Sequence, residues 1–156
     1  MTARYRLVVD GDVHPVTNSW YGANLATVLR DELGLTATKD ACLQGRCGSC
    51  TVLLDGLLVT ACTVLAEAAV GTEIVTAVGV AQSDPDIVDA LVAVGAVQCG
   101  YCTPGMLVAI ADLLRREPSP DEATIRAGLS GNLCRCTGYG RIVAAVQRLV
   151  AHRVAA

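Results

Sequence analysis

Cys42-Leu43-Gln44-Gly45-Arg46-Cys47-Gly48-Ser49-Cys50 sets the frame for the whole chain. Three thiols are separated by four and then two residues, and Cys62 follows after eleven more. A loop that presents thiols this densely must wrap tightly. Gly45 and Gly48 allow the positive φ and close backbone approach that such wrapping needs. Working outward, the other four cysteines form a second set. Cys99 and Cys102 lie in Gln98-Cys99-Gly100-Tyr101-Cys102-Thr103-Pro104-Gly105, and Cys134 and Cys136 in Gly131-Asn132-Leu133-Cys134-Arg135-Cys136-Thr137-Gly138-Tyr139. The eight cysteines of the chain are thus used up in two compact quartets.

Four thiolates are what one Cys-ligated iron–sulfur cluster requires, and the first loop has the plant-type ferredoxin spacing. Its backbone N–H groups, aimed at sulfur, and the charge of Arg46 help set a cluster potential. The second quartet lies on loops that enter predicted helix N-termini. There, free N–H groups and the positive end of the helix dipole stabilise an anionic centre. Arg135, between two thiols, is placed to tune that centre. Structural zinc is the rival, but it prefers paired knuckles, and neither the first loop nor the tight Cys134–Cys136 pair matches them. Buried cysteines acting as small hydrophobes do not explain the accompanying Gly100, Gly105, Gly131 and Gly138. Two clusters imply passage of electrons, since storage or sensing needs only one centre.

The chain has 156 residues, room for one sizeable or two small domains. Apolar residues make up 53% of it, with no Phe, one Trp and four Tyr, so its cores must be aliphatic. A net charge of −3, without a basic block, argues against nucleic acid. No signal peptide and no run of membrane-spanning length is visible, so the cytoplasm is expected and disulfides are not.

Residues 5–16 read as a hairpin about Asp10-Gly11, with Pro15 marking an edge strand. A helix is predicted over 23–33, with Leu25, Val28, Leu29 and Leu33 on one face and Gly34 ending it. A second hairpin surrounds Asp55-Gly56, and 71–75 is a short strand. Strand signals then stop. Residues 76–84 read as a linker, and helices are predicted at 85–96, 104–116, 120–129 and 140–154. Asp84-Pro85, Thr103-Pro104 and Ser119-Pro120 cap the first three, Ser119 and Glu122 forming a capping box. Four helices with short connections suggest a bundle.

The ordered set of cysteine motifs resembles the iron–sulfur subunit of the molybdenum hydroxylases, the family of xanthine dehydrogenase, aldehyde oxidoreductase and aerobic carbon monoxide dehydrogenase. The likeness spans about residues 4–150. It implies an α+β chain: an N-terminal β-grasp, ferredoxin-like 2Fe–2S domain over 1–78, then an all-α four-helix-bundle 2Fe–2S-binding domain over 79–156. Cys42, Cys47, Cys50 and Cys62 would hold an outer cluster, toward flavin. Cys99, Cys102, Cys134 and Cys136 would hold an inner one beside molybdopterin, as its cytosine dinucleotide. Gln98 would hydrogen-bond the pterin, and the Cys136 region would approach its amino group.

The resemblance further implies a large molybdopterin-binding subunit and a medium FAD-binding subunit, joined in a dimer of heterotrimers. The assembly would be cytoplasmic or peripheral at the inner membrane face through its partners. Substrate would be oxidised at molybdenum on the large subunit, and this chain would carry the electrons without catalysing bond chemistry. Ala41 and the stretch Asn18-Ser19-Trp20-Tyr21-Gly22 depart from the family pattern, which has Gly before the first cysteine and a charged or Pro-containing segment earlier. Trp20 and Tyr21 read as edge packing or a subunit face. His14 and His152 are distant in sequence from the thiols and read as surface or capping residues. Lys39 and Arg46 are solvated charges with some capacity to steer an acidic partner.

Overall fold

The computed structural model describes residues 3–17 and 21–155. Asn18, Ser19 and Trp20 of the family-divergent stretch therefore lie outside the described residues. Strands β1 (Ala3–Val9) and β2 (Asp12–Thr17) form the first hairpin, and β3 (Thr51–Leu54) and β4 (Leu57–Thr60) the second. Both turns adopt positive φ at both central residues: +52° and +87° at Asp10-Gly11, +47° and +76° at Asp55-Gly56. That is the primed turn whose twist matches paired strands. The short β5 (Glu73–Val75) joins the hairpins, pairing parallel to β1 and antiparallel to β3, which gives the order β2-β1-β5-β3-β4. Pro15 lies on the edge strand β2, where its missing N–H breaks no ladder.

The predicted first helix is shorter and less regular. Asn24 Oδ1 accepts from Thr27 N at 2.9 Å to start α1 (Leu25–Thr27), which passes at once into a π-helical turn over Val28–Glu32. Leu33 N reaches back to Val28 O at 3.1 Å, and Gly34 at φ +70° ends the segment. Leu25, Val28 and Leu29 are fully buried under the sheet with Leu7, Val9, Val52 and Ile74.

Residues 77–83 form a helix, α2 (Ala77–Ser83), where a linker was expected. Its cap is long-range. Thr76 Oγ1 accepts from Val78 N at 3.1 Å and donates to Asp10 Oδ2 at 2.6 Å, while Asp10 Oδ1 accepts from Thr76 N at 2.7 Å. The turn of the first hairpin thus organises this helix start, and local propensity at Gly79, Gln82 and Ser83 does not reveal it.

The remaining helices are α3 (Pro85–Ala93), α4 (Thr103–Arg116), α5 (Glu122–Gly128) and α6 (Gly140–Ala155). The cap of α5 is Asp121, whose Oδ1 accepts from Thr124 N at 2.7 Å, so the Ser119 capping box does not form. Asp84 precedes α3 without capping it and pairs with Arg153 of α6. A second buried cluster, including Ile87, Met106, Ile110, Leu113, Ile125 and Ile142, packs these helices together. Among the described residues the buried hydrophobics are all non-aromatic. No described helix is long and apolar enough to cross a membrane.

The two halves meet where α4 lies against β3. Asp112 of α4 is buried and takes Arg115 and Arg116 at 2.9 Å each, and Arg115 also donates to Gly56 O at 3.2 Å. A helix of the second half thereby clips the turn of the second hairpin.

Candidate metal centres

The first cysteine loop wraps through positive φ at Leu43 (+53°), Gly45 (+70°) and Gly48 (+68°). This turns a run of N–H groups onto sulfur. Gln44, Arg46 and Cys47 each donate to Cys42 Sγ at 3.4 Å, and Gly45 reaches across to Cys62 Sγ at 3.3 Å. Cys62 N lies 3.4 Å from Cys50 Sγ, so the two distant parts of the loop close on one another. Ala41 is not among the positive-φ residues, so its side chain brings no backbone strain to the loop.

The second set is built by the turn at Gly100 (φ +81°) before α4 and by the loop that turns through Gly138 and Tyr139 into α6. Cys99 and Cys136 sulfurs are 3.6 Å apart. Thr137 Oγ1 donates to Cys134 Sγ at 3.1 Å, and Tyr139 Oη accepts from Cys134 N at 2.9 Å while donating to Asn132 O at 3.2 Å. Thr137 and Tyr139 do not stand out as functional in the sequence. The left-handed backbone at Tyr139 (φ +66°), held by hydroxyl contacts within its own loop, marks it in the structure.

All eight cysteines are free. The loops bring thiols of each quartet together: Cys62 N reaches Cys50 Sγ and Gly45 N reaches Cys62 Sγ in the first, and the Cys99 and Cys136 sulfurs stand in contact in the second. Two thiolates on one tetrahedral metal, with bonds of about 2.3 Å, stand about 3.8 Å apart. The 3.6 Å pair meets that spacing. Among the described residues, no three His, Cys, Asp or Glu converge as a mononuclear site demands. Four thiols per site would supply the ligands of a 2Fe–2S group. The wrapped, N–H-lined first loop and the tight Cys134–Cys136 spacing of the second fit such a group better than a zinc knuckle.

Their environments differ. N–H groups of Gln44, Arg46 and Cys47 draw the Cys42 thiol down to about 6. Burial pushes Cys50 up to about 12, and burial likewise pushes Cys102 up to about 12. Against the upward pull of burial, the Thr137 hydroxyl draws Cys134 below its ordinary value, while the neighbouring Cys99 raises Cys136. The sites are thus asymmetric, with one deep thiol pair and one near solvent in each. Coordination to a metal removes these protons outright.

A seam joins the two quartets. Leu133 N donates to Cys47 O at 2.8 Å, so the residue before Cys134 is bonded to a residue of the first quartet. Asn132, buried, donates from Nδ2 to Gly48 O at 2.9 Å and lies 3.2 Å from Thr51 Oγ1. The approach is too close for side chains: a Cβ on Gly48 would meet Gly131 O at 2.4 Å. Asn132→Ala is expected to destabilise the protein by about 1–3 kcal/mol, because it removes a buried amide from a packed seam. Urea unfolding of the purified protein measures it, and an unchanged midpoint would contradict that role.

Gln98, Cys99, Arg135 and Cys136 are all exposed. Arg46 is exposed on the first loop, whereas Lys39 Nζ is engaged by Thr36 O at 2.7 Å. His14 lines a cleft with Asp12 and Gln82, His152 lines one between α3 and α6, and neither cleft includes a cysteine. Tyr21 is exposed and carries the Arg4 guanidinium 3.9 Å over its ring.

Two cysteine quartets of this geometry, on a mixed α+β chain, define an iron–sulfur-binding protein. In agreement, the 2Fe–2S binding domain family matches residues 76–147. A probable xanthine dehydrogenase subunit of Bacillus subtilis is 42% identical over 147 residues, covering 94% of this chain and 84% of the relative. The nicotinate dehydrogenase small FeS subunit of Eubacterium barkeri is 46% identical over 128 residues, 81% of this chain and 82% of that one. The crystal structure of quinoline 2-oxidoreductase from Pseudomonas putida 86 contains a chain that superposes with a TM-score of 0.86 at 38% identity, covering 97% of this chain and 94% of its counterpart. The chain belongs to the iron–sulfur subunit family of the molybdenum hydroxylases, and its relatives are subunits of oxidoreductases.

Proposed function

We propose that this chain is the electron-transfer subunit of a multisubunit molybdenum hydroxylase, linking a molybdopterin centre on a large subunit to an FAD subunit or other acceptor through two 2Fe–2S clusters. The observation that carries this reading is that the fold gathers eight disulfide-free cysteines into two loop clusters, with N–H groups on the sulfurs of the first and the Cys99 and Cys136 sulfurs 3.6 Å apart in the second. Each cluster, when bound, supplies one-electron redox chemistry. Cys42, Cys47, Cys50 and Cys62 hold the outer one, and Cys99, Cys102, Cys134 and Cys136 the inner one. The residues do the rest: N–H groups of the first loop stabilise thiolate charge, and the Leu133–Cys47 bond keeps the two loops in register.

Gln98 offers its amide to the pterin and the Cys136 edge faces the cofactor, for which the exposure of both residues is the support. The partners are a large molybdopterin-binding subunit, with the cytosine dinucleotide form of the cofactor, and a medium FAD subunit, in a cytoplasmic dimer of heterotrimers. The architecture we assign is a β-grasp, ferredoxin-like domain over 1–78 and a four-helix bundle over 79–156. Two separate buried clusters support that division, and α2 straddles its boundary.

Metal and sulfide analysis of the native material tests the reading. About four irons per chain and a reddish-brown spectrum are expected, with co-purification of a molybdenum-binding and a flavin-binding chain. Zinc in a colourless protein overturns the cluster assignment, and isolation from native cells as a stable monomer overturns the subunit assignment. Thr137→Val, which deletes the 3.1 Å hydroxyl contact to Cys134 Sγ, is expected to lower the potential of the inner centre while iron is retained. A redox titration followed by electron paramagnetic resonance reads this, and an unmoved potential removes Thr137 from the tuning role.

A further inference from the structure

Tyr101 and Asp40 are far apart in the chain, one inside the second cysteine loop and the other two residues ahead of the first. The Tyr101 hydroxyl donates to the backbone carbonyl of Asp40 and lies 3.4 Å from Asp40 Oδ1. Asp40 is in turn held. Arg30 Nε stands 3.0 Å from its Oδ1, and Arg30 Nη1 donates to Thr38 O at 2.6 Å and Thr36 O at 3.1 Å. Lys39 N donates to Ser49 O at 3.2 Å, tying the same segment to the far end of the first loop. Tyr101 therefore bonds to a segment already braced by Arg30, not to a loose strand.

The seam through Gly48, Asn132 and Leu133 joins one side of each quartet: the stretch after Cys47 and the stretch before Cys134. Tyr101 joins the other side: the Cys99–Cys102 turn and the approach to Cys42. The seam contacts, with the close approach of Gly105 to Gly48 O, lie along one edge and leave rotation about that edge. A bond on the far side removes it. We propose that Tyr101 is a positioning residue whose hydroxyl latches the second cysteine loop to the Arg30-braced segment 36–40, and so holds the two thiol quartets at a fixed separation and orientation. This rests on the two-centre reading above.

The test compares Tyr101→Phe and Asp40→Asn with wild type in the assembled complex. Tyr101→Phe deletes only the hydroxyl. Asp40→Asn keeps the accepting carbonyl but weakens the Arg30 pairing. Three quantities are read: iron content, the magnetic interaction between the two reduced centres by electron paramagnetic resonance, and amide hydrogen exchange over 97–103. For Tyr101→Phe we expect wild-type iron, an altered magnetic splitting, and exchange about tenfold faster, the population shift that loss of one hydrogen bond brings. Asp40→Asn should give smaller changes. Wild-type splitting and wild-type exchange in Tyr101→Phe overturn the latch. Iron-free wild-type material would overturn the two-centre reading instead, and exchange, readable with or without iron, would still decide the latch.

Discussion

Gly105→Ala is expected to destabilise the protein by about 2–4 kcal/mol and to loosen the junction between its two halves. In an isolated helix the same change would help, since Ala is favoured over Gly by about 1 kcal/mol. Here the added Cβ would stand 2.1 Å from Gly48 O and 3.1 Å from Asn132 Nδ2. The obstacle at 2.1 Å is backbone, and it is already fixed by Thr51 Oγ1 at 2.6 Å and Asn132 Nδ2 at 2.9 Å. Either α4 moves off the first cysteine loop or the loop gives up those bonds, and the Leu133–Cys47 contact moves with it. Gly131→Ala is the matched control, because its Cβ would meet nothing within 4 Å. Its effect should stay within about 0.5 kcal/mol. Urea unfolding of both variants measures the difference, and equal stability would show that the junction is slack.

Cys102→Ala should have the largest effect on the metal content. The thiol is partly buried, paired with Cys134, and belongs to the deep side of the second quartet. Solvent cannot replace a buried ligand as readily as an exposed one, so iron should fall from about four to about two per chain, with the visible absorbance roughly halved. The first quartet, resting on its own N–H donors at 3.3–3.4 Å, should keep its share. On the proposed order of centres, electron delivery from the partner subunit should stop. Iron analysis with the spectrum of the purified variant checks this. Full iron retention in Cys102→Ala would remove that residue from the ligand set and overturn the two-centre reading.

Several features of the fold could be read directly from neighbouring residues. Asp10-Gly11 and Asp55-Gly56 specify their turns because the left-handed backbone they need is open to so few residue pairs. Pro15 on an edge and Gly34 closing the first helical segment follow from equally local chemistry, as do the helices at 85–93, 103–116 and 140–155 through their prolines and apolar period; the caps expected of Asp84 and Thr103 do not form, and Thr103 lies inside its helix after an N-cap at Cys102. Other expectations failed, one because a distant side chain supplied the cap and others because a neighbouring residue took the helix start. The stretch 76–84 looks like a linker because Gly79 and Ser83 favour turns. It is a helix because Asp10, brought in from the first hairpin, holds Thr76 at the helix start. The capping box at Ser119 lost to Asp121, whose carboxylate reaches Thr124 N one helical turn on.

The inventory of candidate ligands belongs to the sequence alone: eight cysteines in two quartets, with glycines where the loops must wrap, point to the chemistry because spacing and residue type are local properties. Tertiary structure alone decided that Cys99 meets Cys136, that Asn132 and Gly105 close on Gly48, and that Tyr101 reaches Asp40. The Tyr101–Asp40 and Asn132–Gly48 contacts join residues 61 and 84 positions apart. No periodicity or spacing in the chain encodes such meetings. They follow from how the helices, once packed on the sheet, bring the two loops face to face.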